Sequence, residues 1–287
     1  MKSNIKILVI ILLQIFLASK LISEEIEFKA TNIEISNDQN LTIANNGTAL
    51  IKDDGIIVEG EKIKYFRNES LLIIDKGKVS SLDQNFEINS NLIEYKISKS
   101  ELNFSKEVKI LDKSNDLLID TDEIKYDVKN QQIKSKSSSV IKDKLGNLYQ
   151  VKDFNYSIKD KLIKLNNLKV FDPDKNTFIV DMAFLDLKKN ELIAKDVGLN
   201  FKISKNSENE PRLKGRSLIN NEKETIVKKG TFTFCKKREK CPPWEMGAEE
   251  IIHDKEKKII KYKNANLKIY DKKVFYFPKF FHPDPTV

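Results

Sequence analysis

The sequence predicts an all-β chain, an open jelly roll or β-roll of repeated antiparallel hairpins with a period of about 30 residues. Three observations carry that prediction. From Glu25 onward, short runs alternate apolar and polar residues while helical periodicity is scarce. An apolar residue standing two positions before an aromatic or equivalent residue recurs along the chain, and polar turn formers separate the recurrences.

The first segment is different. Lys2 and Lys6 precede the apolar run Ile7 to Ala18, and small residues at Ser19 and Ser23 precede Glu24-Glu25, the layout of a secretory leader spanning 1–23. Gln14 inside the run and Lys20 closing it leave it short of the roughly 20 apolar residues of a spanning helix. The expectation is an exported chain. No cysteine follows the run to take a lipid. The remainder reads as a repeated domain over 24–229 and a last repeat and junction over 230–287. With 40% hydrophobic and 33% charged residues it suits a water-facing fold with a modest core. The net charge of +8 could serve an anionic partner, but the lysines are scattered along the chain as on solvated faces, and the export signal argues against nucleic acid.

The repeat anchors are Ile33/Ile35, Ile63/Tyr65, Ile93/Tyr95, Ile124/Tyr126, Phe154/Tyr156, Phe184/Asp186, Leu218/Asn220 and Ile251/His253, spaced 30, 30, 31, 30, 30, 34 and 33 residues apart. Seven residues after most anchors stands another apolar residue: Leu72, Leu102, Ile133, Ile163, Ile193 and Ile260. Turn formers such as Arg67-Asn68-Glu69 and Asp127 to Asn130 lie between, so each anchor opens a hairpin. Thirteen or fourteen residues past the anchor an aliphatic residue recurs, as at Val79, Val108, Val140, Val170, Leu199 and Leu267, which suggests about three strands per unit. Asn46-Gly47 and Asp54-Gly55 are further turn signals, and Lys205 to Pro211 is the predicted loop. Such units stack into a curled antiparallel sheet, either a jelly roll or a β-solenoid.

Because side chains alternate across a strand, the anchor pair and the residue seven further on share a face. The set Ile63, Tyr65, Leu72, Ile93, Tyr95, Leu102, Ile124, Tyr126, Ile133, Phe154, Tyr156 and Ile163 should form one continuous apolar surface, either a lipid groove or a dry core. The unpaired edge strands of an open sheet suit strand addition, with Ile33 to Leu50 as the expected pairing edge.

No catalytic constellation is present. There are two histidines, no Gly-x-Ser-x-Gly elbow and no Gly-rich phosphate loop, so the chain is expected to be neither an enzyme nor a cofactor carrier. Cys235, Cys241, His253 and His282 lack the paired spacing of zinc knuckles, and no metal is expected. His253 stands where other repeats carry tyrosine, which assigns it to packing or surface. The aromatic cluster Phe275, Tyr276, Phe277, Phe280 and Phe281 is either ordinary core or packing where the soluble domain meets a bilayer-embedded barrel, and its place at the end of the sequence favours the second.

The block from Gly230-Thr-Phe-Thr-Phe-Cys235 through Pro243-Trp244-Glu245, Ala248 to Asp254 and Asn266 to Asp271 to Val274-Phe-Tyr-Phe-Pro278 resembles the lipopolysaccharide-assembly family of Gram-negative outer membranes, the organic-solvent-tolerance family. Repeats such as Thr121 to Asp127 and Met182 to Leu187 extend the resemblance more weakly toward the soluble bridge proteins of the same route. The resemblance implies a periplasmic domain that receives lipopolysaccharide, guides its acyl chains outward, and pairs edge to edge with a periplasmic bridge protein. It also implies an outer-membrane barrel with its lipoprotein plug as further partners; no barrel strands lie within these 287 residues. The alternatives are a soluble bridge protein of that route, or a structural β-solenoid or adhesin without lipid. In the family, the cysteine matching Cys235 pairs near the far end of the chain. Without a barrel, the expectation is a local Cys235 to Cys241 bond.

Overall fold

The alternating runs become strands in a computed structural model that describes residues 26–202, 210–235 and 242–285. Nineteen strands form one antiparallel sheet. In chain order they are β1 (Ile26–Ile35), β2 (Leu41–Ile51), β3 (Ile56–Phe66), β4 (Leu71–Ser81), β5 (Phe86–Lys96), β6 (Glu101–Asp112), β7 (Leu117–Asp127), β8 (Gln132–Ser135), β9 (Ser139–Lys142) and β10 (Leu148–Val151). There follow β11 (Asp153–Ser157), β12 (Leu162–Phe171), β13 (Thr177–Asp186), β14 (Glu191–Asn200), β15 (Arg212–Asn220), β16 (Glu224–Thr233), β17 (Trp244–Asp254), β18 (Ile259–Ile269) and β19 (Lys272–Pro283). β8 and β9 are two halves of one strand row, both paired to β7, and β10 with β11 form the next row, both paired to β12. The sheet is therefore a meander of seventeen rows, each bonded to its sequence neighbours, with β1 and β19 at its edges.

Each long strand is creased at its middle. Non-glycine residues with positive φ sit there in alternate rows: Asn46, Lys76, Lys106, Asn167, Asp196, Lys229 and Asn264. The left-handed residue breaks the side-chain alternation, so the inward positions of β2 are 42 and 44 before the crease and 47, 49 and 51 after it. One face stays inward across the bend, as in a bulged strand. Small residues fill the crease where backbones approach. Ala30, Gly47, Gly60, Gly77 and Ser90 stand directly opposite one another across five rows, and Gly230, Ala248 and Ala265 do so near the end of the sheet.

The crease folds the sheet onto itself. Tyr95, beside the turn at one end of its strand, bonds through its hydroxyl to Asp54, in a turn at the opposite end of the strands. Tyr156 reaches Asp112 in the same way. With the two ends together, the inner faces of both half-sheets close over one core cluster that runs from Ile26 to Ala265. This is a roll made from a meander, and the β-solenoid alternative does not apply.

Three readings need correction. Each repeat is two creased strands, not three; residues such as Leu72 and Val79 lie on one strand either side of its crease. Asn46-Gly47 forms a crease inside β2, while Asp54-Gly55 does turn the chain, with Gly55 at φ 64°. The sixth anchor is one residue out of step: Ala183 and Leu185 face inward, as do Leu192 and Ala194, so Phe184, Asp186 and Ile193 stand on the other face. A one-residue slip flips a whole strand's side chains, which also places Val140 outside and Ile141 inside. The reversals themselves are held by side chains. Asp127 accepts from the Asn130 N–H at 3.0 Å, Asp143 from Asn147 N–H at 2.9 Å and Asp172 from Asn176 N–H at 2.7 Å. Of the predicted loop 205–211, positions 205–209 lie outside the described residues.

Candidate functional site

The seven-residue spacing has a direct structural meaning. Tyr65 stands opposite Leu72, Tyr95 opposite Leu102, Tyr126 opposite Ile133 and Tyr156 opposite Ile163, each pair across one hairpin. All twelve predicted groove residues are on the inner face. Eleven are buried, and Tyr65 is half-buried with its ring 6.0 Å from that of Phe28. They make an unbroken apolar lining along the roll, with side chains of the two half-sheets in mutual contact.

Sequence reasoning missed the polar seam where the two ends of the strands meet. Asp112, buried, accepts from the Tyr156 hydroxyl and from Asn115 N–H at 3.1 Å. Asp143 accepts from the Tyr149 hydroxyl at 2.6 Å. Burial, reinforced by the Asp54 charge, pushes the Tyr126 hydroxyl up to about 12. Burial raises Tyr156 far above the ordinary tyrosine range, and the bond to Asp112 raises it further. Asp172 is pushed up by burial, and Lys255, attracted by Asp172 and Asp174 across the seam, is held down by burial. The signal was available. Asp54, Asp83, Asp112, Asp143 and Asp172 recur 29, 29, 31 and 29 residues apart at turns.

The two ends of the roll are less covered than its middle. At the first, Ile33 is 43% and Ile35 62% exposed although both belong to the inner face, because among the described residues no strand lies beyond β1. At the other, the inner positions of β19 are Phe275, Phe277, Phe280 and His282, opposite Leu267, Ala265, Tyr262 and Ile260. Their rings form a ladder, with centroids 6.4 Å apart for Phe275 and Phe277 and 5.4 Å for Phe277 and Phe280. Beside it lies an apolar cavity of about 410 Å³ lined by Phe232, Phe234, Trp244, Met246, Tyr262, Phe280, His282, Pro283 and Pro285.

Two histidine contacts fasten this end. His253 is buried, as its position in the repeat suggested; its Nε2 lies 2.5 Å from Asp284, just past β19, and its ring meets that of Phe201 edge-on at 5.5 Å. The Tyr262 hydroxyl lies 2.8 Å from His282 Nε2. Cys235 is half-buried beside Trp244, and Arg212 donates to its carbonyl at 2.7 Å. Cys241 and the leader 1–23 lie outside the described residues. The boundary drawn at 229/230 falls inside β16, through which sheet and core continue. Among the described residues no helix is long and apolar enough to cross a membrane.

No protein-family model matches the chain, and no curated protein matches it. Among solved structures it is similar to LptH, the LptA-homologous periplasmic component of the conserved lipopolysaccharide transport device from Pseudomonas aeruginosa. The sequences are 10% identical, the TM-score is 0.32, and the match covers 36% of this chain and 76% of that one.

Proposed function

We propose that this chain is a periplasmic carrier of lipopolysaccharide, which takes acyl chains into the apolar interior of its roll and passes them along it toward the outer membrane without catalysis. The observation that supports this reading is the lining itself. The apolar core runs from strand to strand between Ile26 and Ala265, interrupted at the crease by the small buried cluster Thr121, Ser135 and Ser139, with the exposed inner-face residues Ile33 and Ile35 at one end and the apolar cavity at Trp244 and Phe280 at the other. Each acyl methylene moved from water to such a lining is stabilised by about 0.8 kcal/mol, and the contact is non-directional, so a chain can slip between neighbouring repeats. Access requires the seam to part. The clasps Tyr95 to Asp54 and Tyr156 to Asp112 are a few polar contacts over an apolar interior, and their opening leaves the strand ladders intact.

Partners follow from the edges. Among the described residues β1 pairs on one side alone and its inner residues Ile33 and Ile35 are exposed, which suits strand addition by a periplasmic bridge protein of similar build. The resemblance of the C-terminal block favours the outer-membrane assembly protein, with its barrel and lipoprotein plug, over the soluble bridge protein.

The test uses photo-crosslinking residues at Leu102, Ile133 and Ile163, with Ile179 on the outer face as control, in the presence of lipopolysaccharide. Adducts at the three inner positions and none at Ile179 are expected, with Tyr156→Phe raising their yield. Folded variants that give no inner adducts would show the interior to be an ordinary closed core.

A further inference from the structure

The outer face of the last strand carries chemistry that no transport role of the interior calls for. Six of the fourteen exposed large hydrophobic side chains among the described residues fall between Ile269 and Phe281. β19 is apolar on both faces: Phe277 and Phe280 pack against the core with the exposed Phe275 beside them on the same face, while Tyr276 and Phe281 point outward at 58% and 69% exposure. The two-residue turn before it, with Tyr270 and Asp271 both at positive φ, projects Tyr270 at the same end. Tyr276 donates to Asn264 Oδ1 at 2.9 Å, which ties its polar tip to the neighbouring strand.

The charges beside these rings are mostly positive, with Asp271 in the turn as the exception. The segment 259–285 holds six lysines and two aspartates, and one of those aspartates, Asp284, is engaged by His253. On β18, Lys261, Lys263 and Lys268 are neutralised by Asp254, Glu250 and Glu245. Lys272, Lys273 and Lys279, on and beside β19, have no carboxylate within ion-pair distance among the described residues. Exposed rings with unneutralised lysines between them match an interface where aromatic side chains sit at headgroup depth and lysines meet lipid phosphates. A free backbone edge is tolerated there, because the headgroup layer is hydrated.

We infer that the outer face of β19 and the turn before it, with Tyr270, Tyr276, Phe281, Lys273 and Lys279 and with Lys272 at the foot of the turn opposite Ile269, docks peripherally on an anionic phospholipid surface. The contact uses the outside of the roll, so it stands whether or not the interior carries lipid. It would set the cavity end of the roll against the bilayer.

Hydrogen exchange of the full chain reads this locally. On phosphatidylglycerol vesicles the amides of 272–283 should slow by about tenfold or more, while those of β13 around the equally apolar but distant Ile179 are unchanged. Phosphatidylcholine vesicles should give no slowing. Replacing Lys272, Lys273 and Lys279 by Glu should weaken the effect on the order of 100-fold in lipid concentration, and Tyr276→Ser with Phe281→Ser should abolish it. The inference is overturned by unchanged exchange on phosphatidylglycerol, by equal slowing in the charge-reversed chain, or by slowing that appears without vesicles and grows with protein concentration. The last outcome would assign the face to a second copy.

Discussion

Adding a single methyl group at Gly77 tests whether the crease is what folds this sheet over. A Cβ at Gly77 would lie 2.5 Å from Ile74 Cγ2, 2.8 Å from the Glu59 carbonyl oxygen and 3.1 Å from Ile93 Cδ1. The carbonyl belongs to the neighbouring strand, and Ile74 and Ile93 are buried, so relief requires the two rows to separate. Overpacking of this kind costs about 1–3 kcal/mol. For a chain of this size that corresponds to a loss of roughly 3–4 °C in Tm, taking a mid-range cost of about 2 kcal/mol. Gly198 is the control, because a Cβ there meets nothing within 4 Å and its φ lies outside the left-handed region. Gly198→Ala should be stabilising by about 0.4–1 kcal/mol through the unfolded chain. Thermal melts followed by circular dichroism, with urea midpoints for the free energies, separate the two. If Gly77→Ala melts with the parent, or if Gly198→Ala loses as much as Gly77→Ala does, close approach at the crease is not what limits the fold.

The seam gives a second test. Tyr156→Phe leaves the buried Asp112 carboxylate without its hydroxyl donor and should cost about 1–3 kcal/mol in urea unfolding, so a loss under about 0.5 kcal/mol would leave the clasp without energetic weight. Of the eight tyrosines, Tyr126, Tyr149, Tyr156 and Tyr262 have hydroxyls raised by burial. Their stabilising contribution is intact below the ordinary tyrosine pKa of about 10 and is lost as pH climbs from there toward and past 12, so tyrosinate absorbance from these four should appear only together with unfolding. Asp83 and Asp127 are held below the usual carboxylate range, chiefly by hydrogen bonds from Ser81 and Asn130, so their contribution is present above about pH 4 and lost as pH falls through their depressed values. Asp127→Asn should flatten the acid side of the urea-midpoint profile, and an unchanged slope would count against the turn carboxylates. Thiol titration of unreduced protein is expected to find no reactive thiol, in keeping with a Cys235 to Cys241 bond, and two reactive thiols would refute that bond.

Much of this fold was legible because one constraint repeats. The seven-residue interval from Tyr95 to Leu102 is the length of a hairpin whose ends face each other, and it recurs often enough to mark the inner face through half of the chain. The crease was not legible, since Asn-Gly is equally suited to reversing a chain and to bending a strand, and only the strand pairing on both sides of Asn46 decides between them. The seam escaped for another reason. Tyr95 meets Asp54 across 41 residues, and alternation along a strand says which way a side chain points without saying that the sheet doubles over to meet it. At the sixth repeat the 30-residue spacing lands on Phe184, whereas Ala183 and Leu185 are the buried pair, because spacing along the chain does not report a one-residue shift of face.

Because every row bonds only to the rows before and after it in the chain, the molecule behaves as a ruler. Neighbouring rows lie about 4.8 Å apart, so each 30-residue unit of two rows adds about 10 Å, and the seventeen rows together span about 75–80 Å. Reach across a compartment is thus written in the number of repeats. Inserting or deleting one unit in the middle would change that distance by a fixed step while leaving both terminal strands, and whatever each of them meets, as they were.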